Sequence, residues 1–287
     1  MDVRIRNIAV TLCALMPTWN GLASEVRHEP TLGVDHIPIV VRNLERATQW
    51  FKDLGFAIKP GRAHRNGIRN AHIKFANGAG LELIVVDVPS DSLALRYKRE
   101  AKHAQGPMFV SFYARDTALL KGLLGNYPHQ HHRGLTTLSS PALSYLFFVR
   151  DNRSPSDRAG HFSHTNTAKH MHAVWLAPKR SVELEGLLKD LDLTMSENKT
   201  DRGSKARPFV PRRTYHFTDS EVRLFGPDSQ IVTDRPVIGV TFKVHDVERA
   251  AKTLTQTGVP FSSDIEASRR IIVHPRESLS MWIEFRE

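Results

Sequence analysis

Val34-Asp35-His36-Ile37-Pro38-Ile39-Val40-Val41-Arg42 runs into Asn43-Leu44-Glu45-Arg46-Ala47 and closes on Leu54-Gly55-Phe56. The same grammar returns near the end of the chain. Val237-Ile238-Gly239-Val240-Thr241-Phe242-Lys243-Val244-His245 runs into Asp246-Val247-Glu248-Arg249-Ala250 and closes on Gly258-Val259. In each copy 12 residues separate the Asn or Asp from the glycine. The β-branched run predicts a strand. Asn43 or Asp246 predicts a helix N-cap, because its side-chain oxygen accepts an otherwise unpaired backbone N–H. Leu44, Ala47, Phe51 and Leu54 recur at helical spacing and predict one buried face. Gly55 or Gly258 ends the helix, since glycine tolerates the left-handed conformation.

Outward from these two stretches the pattern continues. Further strands are expected at 70–75 and 81–86 after the first helix, and at 270–273 and 281–285 after the last. Two weaker copies fill the middle: strand 108–113, helix 117–124 and strand 145–149, then strand 172–176, helix 182–191 and strands within 215–225. Internal repetition on this scale means one supersecondary unit used several times. The expectation is an α+β chain of four βαβββ modules. The polar stretch 150–164, with Pro155 and Gly160, reads as a linker. The expected units are 33–155 and 165–287, two modules each.

The 287 residues fit one large or two medium domains. The net charge is +10. The densest basic stretch, residues 199–213, also carries Gly203, Ser204, Pro208 and Pro211 and reads as a solvated loop. No nucleic-acid motif accompanies the charge, so no nucleic-acid partner is expected. Residues 1–25 read as a secretory signal peptide: Arg4 and Arg6, an apolar run from Ile8 to Met16, then Gly21-Leu22-Ala23. That run is too short to span a membrane, so no stable membrane insertion is expected. The expected location is periplasmic or secreted, or cytoplasmic if the start is misassigned. Cys13, the one cysteine, lies in that segment. A mature chain would have none, which excludes disulfides and cysteine nucleophiles. No Gly-x-Ser-x-Gly elbow or phosphate-cradling glycine loop occurs, which argues against serine hydrolase and nucleotide chemistry.

The repeat resembles the vicinal oxygen chelate superfamily, specifically its glyoxalase-like domain branch. The opening Gly33-Val34-Asp35-His36-Ile37, the stretch Gly61-Arg62-Ala63-His64 with Gly67 and Asn70, and Leu81-Glu82-Leu83-Ile84 carry the likeness. So do His164-Thr165-Asn166-Thr167-Ala168, Ile272-Val273-His274-Pro275 and Trp282-Ile283-Glu284-Phe285. The resemblance implies modules paired into two cup-shaped glyoxalase/dioxygenase-type half-barrels. It also implies a divalent metal (zinc, nickel, manganese or iron) held by His and Glu, and a small oxygen-rich substrate. The reaction implied is of isomerase, lyase or ring-cleaving dioxygenase type. The alternative is a non-catalytic small-ligand-binding protein of the resistance type. A homodimer is a further expectation.

The metal candidates are His36, Glu82 and His172. His36 reads either as a ligand or as a hydrogen-bonded strand residue. Glu82 sits among Leu81, Leu83 and Ile84, where an unpaired carboxylate is costly. It therefore needs a metal, an arginine or a substrate, and in the resemblance it is also the catalytic carboxylate. Gly239 stands at the place of His36 in the fourth module, and Glu284 at that of Glu82. His64, Asn70, His164 and Asn166, with His72, are expected to contact substrate. The alternative for these is turn and linker roles. His129, His131 and His132 read as an exposed loop.

Overall fold

A computed structural model describes residues 32–132, 134–150, 153–197 and 210–287. The expected signal peptide and most of the basic stretch at 199–213 lie outside the described residues.

The first module is β1 (Leu32–Val40), α1 (Leu44–Asp53), β2 (Lys59–Ala63), β3 (Ile68–Lys74) and β4 (Gly80–Val86). A helix that the sequence reading did not anticipate, α2 (Ser92–His103), and the short β5 (Gly106–Pro107) follow. The second module is β6 (Val110–Ala114), α3 (Thr117–Leu123), β7 (His129–His132), β8 (Leu135–Leu138) and β9 (Leu146–Val149). The third is β10 (Ala168–Leu176), α4 (Val182–Asp190), β11 (Thr194–Glu197), β12 (Arg213–His216) and β13 (Glu221–Leu224). The fourth is β14 (Val237–Val244), α5 (Val247–Thr257), β15 (Ser262–Asp264), α6 (Ile265–Ser268), β16 (Arg270–Val273) and β17 (Trp282–Arg286).

The strands form two mixed open sheets. One runs β2-β3-β4-β1-β6-β9-β8-β7, with β5 also paired to β1; the other runs β11-β12-β13-β10-β14-β17-β16-β15. In each, the first strands of two modules pair antiparallel at the centre, as β1 with β6 and β10 with β14. This is the α+β fold of paired modules, with no closed barrel. His129, His131 and His132 are strand rather than loop: they form β7, the exposed edge of the first sheet, hydrogen-bonded to β8.

The local chemistry explains the elements. Asn43 accepts from the Arg46 N–H and Asp246 from the Arg249 N–H, so each repeat helix begins on its expected cap. Gly258 ends α5 at φ +73°. Phe51 of α1 and Leu254 of α5 are fully buried. One apolar core runs through both halves of the chain. Its centre is aromatic: Phe56 lies 4.9 Å from Phe242 and 5.7 Å from Phe285, and Phe75 lies 4.9 Å from Phe242. Because side chains alternate across a strand, Ile37 and Ile39 enter this core while His36 faces the other way, into the first cup.

Candidate functional site

The first cup is built on β1, β4 and β6. His36 Nε2 lies 3.5 Å from a Glu82 carboxylate oxygen. The other ring nitrogen, Nδ1, donates to Asp35 at 2.5 Å. That bond fixes the ring and turns Nε2 toward Glu82, as an orienting carboxylate does for a ligand histidine. Glu82 is held in turn by Asn70, whose side-chain amide donates to its other oxygen at 2.6 Å. Burial works against charge at both groups, yet their mutual attraction prevails. Burial alone would lower the His36 pKa, but Asp35 and Glu82 raise it to about 9. Burial alone would raise that of Glu82, but His36, His72 and Asn70 bring it down to about 2. Ser111 pairs in register with His36 across β1 and β6. It is fully buried, and its hydroxyl has no hydrogen-bond partner among the described residues. Phe147 packs edge-on against His36 at 5.5 Å, and Phe109 and Tyr97 extend this aromatic wall. Tyr97 comes from α2, which lies over β1 and β4.

Beside Glu82 the strands β2 and β3 open a cavity of about 420 Å³. Asn70, His72 and Lys74 alternate onto one face of β3, and His72 pairs with Glu82 across the sheet. His64 and Asn70, both expected at the substrate, line this cavity. His64 Nε2 is buried without a hydrogen-bond partner among the described residues. Burial lowers the His72 pKa to about 4, so its ring is neutral at pH 7.

His164 and Asn166 sit elsewhere. His164 accepts the Ala57 N–H and donates to the Lys74 carbonyl, both at 3.0 Å. Asn166 donates to the Leu54 carbonyl and accepts the Ala168 N–H. Both are buried, and both tie the segment before β10 to the end of α1 and the start of β2. Neither is among the cavity-lining residues.

Comparison with known proteins follows this geometry. Residues 34–126 match the family model described as a glyoxalase-like domain. No curated protein matches the chain. Several solved structures share its fold at low identity. A hypothetical protein from Staphylococcus aureus is 16% identical with a TM-score of 0.57, over 89% of this chain and 99% of that one. A 2,3-dioxygenase from a Pseudomonas species is 11% identical with a TM-score of 0.56, over 88% and 91%. A 4-hydroxymandelate synthase variant from Streptomyces coelicolor is 13% identical with a TM-score of 0.59, over 90% and 93%. The chain shares the fold of these structures, and residues 34–126 match the glyoxalase-like domain model.

In this fold the two sheets can be compared strand by strand. A bulge precedes His36, which pairs with Ser111; the equivalent bulge precedes Ala173, which pairs with Thr241. From these anchors the registers on β4 and β13 place Arg223 where the first sheet has Glu82. Those on β9 and β17 place Glu284 where it has Phe147. Arg223 donates to Glu284 at 2.8 Å and to the Thr241 hydroxyl at 3.0 Å. Thr241 donates to Glu284 at 2.7 Å, and the Trp175 indole donates to Thr241 at 2.9 Å. A guanidinium therefore occupies the heart of the second cup. Glu284, only 2% exposed, is its counter-ion.

His172 belongs to this second sheet, 3.5 Å from Glu221, and the structure does not bring it to His36 and Glu82. Counted from the bulge it stands at the place of Asp35. Gly239 is glycine for a packing reason: a Cβ there would lie 2.8 Å from that of Trp282. Among the described residues, one group of three His, Cys, Asp or Glu side chains comes within common ligand reach, Asp246, Glu248 and Glu287. Arg269 already binds Glu248 and Glu287. The sequence reading missed Asp35, Ser111, Arg223 and Tyr97. Asp35 carried a local signal, as the neighbour of His36. Ser111 and Arg223 acquire meaning only through strand register.

Proposed function

We propose that the chain is a metal-dependent glyoxalase-like enzyme acting on a small oxygen-rich substrate in the first cup. One observation carries the reading: an oriented imidazole and a pinned carboxylate converge at 3.5 Å next to a buried hydroxyl with no partner among the described residues. The donors fit a divalent ion. One nitrogen and one oxygen that close can both lie at ~2.0–2.2 Å from one ion. His36 and Glu82 would hold it, and zinc, nickel, manganese or iron suits such a set. A bound divalent metal supplies Lewis-acid polarisation of neighbouring substrate oxygens.

The chain's own residues do the rest. Asp35 keeps His36 Nε2 facing the cup. Asn70 holds one Glu82 oxygen and leaves the other facing His36, where the ion would sit. Glu82 is ionised at neutral pH, so it serves as the proton acceptor. Tyr97, Phe109 and Phe147 exclude water and offer an aromatic surface. The similar structures include an extradiol ring-cleaving dioxygenase from Brevibacterium fuscum, which favours ring-cleaving oxygenation over isomerase or lyase chemistry.

The test is elemental analysis of protein purified without chelator or affinity histidines. About one ion per chain, lost in both His36→Ala and Glu82→Ala, is the expected result. A second reading, a non-catalytic small-ligand-binding protein, is favoured by one observation. Among the described residues no third His, Cys, Asp or Glu joins His36 and Glu82 within ligand reach. A folded wild-type protein that takes up no metal on reconstitution would decide for it. Export belongs to the same proposal, and an intact mass lacking about the first 25 residues would support it.

A further inference from the structure

The exposed edge of the first sheet carries a pair of histidines that the proposed reaction does not use. Strand β7 reads His129-Gln130-His131-His132. Its pairing with β8 runs without a bulge, His129 opposite Leu138 and His131 opposite Thr136. Side chains alternate along a strand, so His129 and His131 share one face, and Gln130 and His132 the other. Among the described residues no further strand lies outside β7, and Gln130, His131 and His132 are exposed.

Each ring of the pair is held through one nitrogen. His129 Nδ1 lies 2.9 Å from the Tyr127 carbonyl oxygen. A carbonyl only accepts, so the proton of the neutral ring sits on Nδ1 and Nε2 keeps its lone pair. His131 Nδ1 is taken by the Thr136 hydroxyl, also at 2.9 Å. Neither Nε2 has a hydrogen-bond partner among the described residues. An Nδ1 anchored on a protein oxygen, with Nε2 left open, is how an imidazole is oriented for a metal ion. Residues two apart on a strand stand ~6.4–6.8 Å apart at Cα, a gap that two imidazoles close over a single ion.

We propose that His129 and His131 chelate a late first-row divalent ion (copper, nickel or zinc) through their two Nε2 atoms, with water completing its shell. Imidazole suits these ions, whereas magnesium and calcium ask for oxygen. Two imidazoles hold an ion less firmly than a full set of protein ligands. The site therefore exchanges its ion with solvent and empties on desalting, apart from any ion kept in the first cup.

Zinc is titrated calorimetrically into desalted full-length His36→Ala protein that carries no affinity histidines. Removing His36 makes the result independent of whether the first cup takes a metal. Binding is expected, weakened at least ~10-fold by adding His129→Gln or His131→Gln, as loss of one arm of a chelate does. His132→Gln, on the opposite face of the same strand, is expected to leave binding unchanged. A zinc-soaked crystal of the unaltered protein should show an anomalous-scattering peak ~2.0–2.1 Å from both Nε2 atoms, a readout that needs no variant to fold. A peak on one imidazole alone would mean an adventitious ion only and overturn the proposal. So would undiminished binding in folded His131→Gln protein, or an equal loss in His132→Gln.

Discussion

Asn70 connects two features that lie far apart in sequence, the β2 backbone and the Glu82 carboxylate. Gly61 makes that possible, because a Cβ at position 61 would come within 2.1 Å of the Asn70 carbonyl and side-chain oxygens. Gly61→Ala must therefore displace Asn70. We expect a loss of ~1–3 kcal/mol in denaturant melts and impaired metal loading. Asp35→Asn keeps the size of the side chain but removes the charge behind His36. Metal affinity is expected to drop ~10–100-fold against a competing chromophoric ligand, with little change in fold. At this scale the sequence singled out His36, Glu82 and Asn70, each a polar residue in a stretch with a recognisable pattern, and the structure brings the three together. His164 and Asn166 matched a familiar segment too, but their polar groups are satisfied by backbone. A sequence does not distinguish a histidine that faces a substrate from one that pins a loop.

Elements read well where both pattern and punctuation were present. The helices α1 and α5 had a cap, an apolar face and a terminal glycine, and both formed as expected. By contrast α2 has Asp91 as its cap, but its exposed Leu93 and Leu95 blur the buried face made by Ala94 and Tyr97. The link between α1 and β10 carries a pH signature. Burial holds the His164 pKa down at about 4, and that of His72 likewise. A folded pKa below the unfolded 6.5 means the unfolded chain binds more protons. That stability is fully present above pH 6.5 and is lost as pH falls toward 4. For His164 the loss is up to about 3 kcal/mol. Urea midpoints measured from pH 7 to 4 should fall, and His164→Gln should flatten the curve. The raised pKa of His36 acts oppositely: its stabilisation is present below 6.5 and fades as pH rises through about 9.

The whole molecule was legible as four modules, because the repeat is periodic. What each cup holds was not, because that depends on which strands pair and in what register. The shared aromatic core of Phe56, Phe75, Phe242 and Phe285 predicts that both halves unfold together. Far-ultraviolet dichroism should give the same midpoint as fluorescence, to which Trp50 in the first half and Trp175 and Trp282 in the second both contribute. Phe242→Ala should cost ~3–5 kcal/mol and preserve that coincidence. Arg223→Met removes the nearer of the two cations at the buried Glu284, leaving Arg270 at 3.6 Å, and should cost up to ~3–5 kcal/mol, while the metal content per chain stays that of wild type. The guanidinium of Arg223 has one more consequence. It is a permanent charge, made with the polypeptide itself, so the second half needs nothing from its surroundings to neutralise Glu284. If the first cup takes a metal as proposed, the folding of the second half does not wait on that ion.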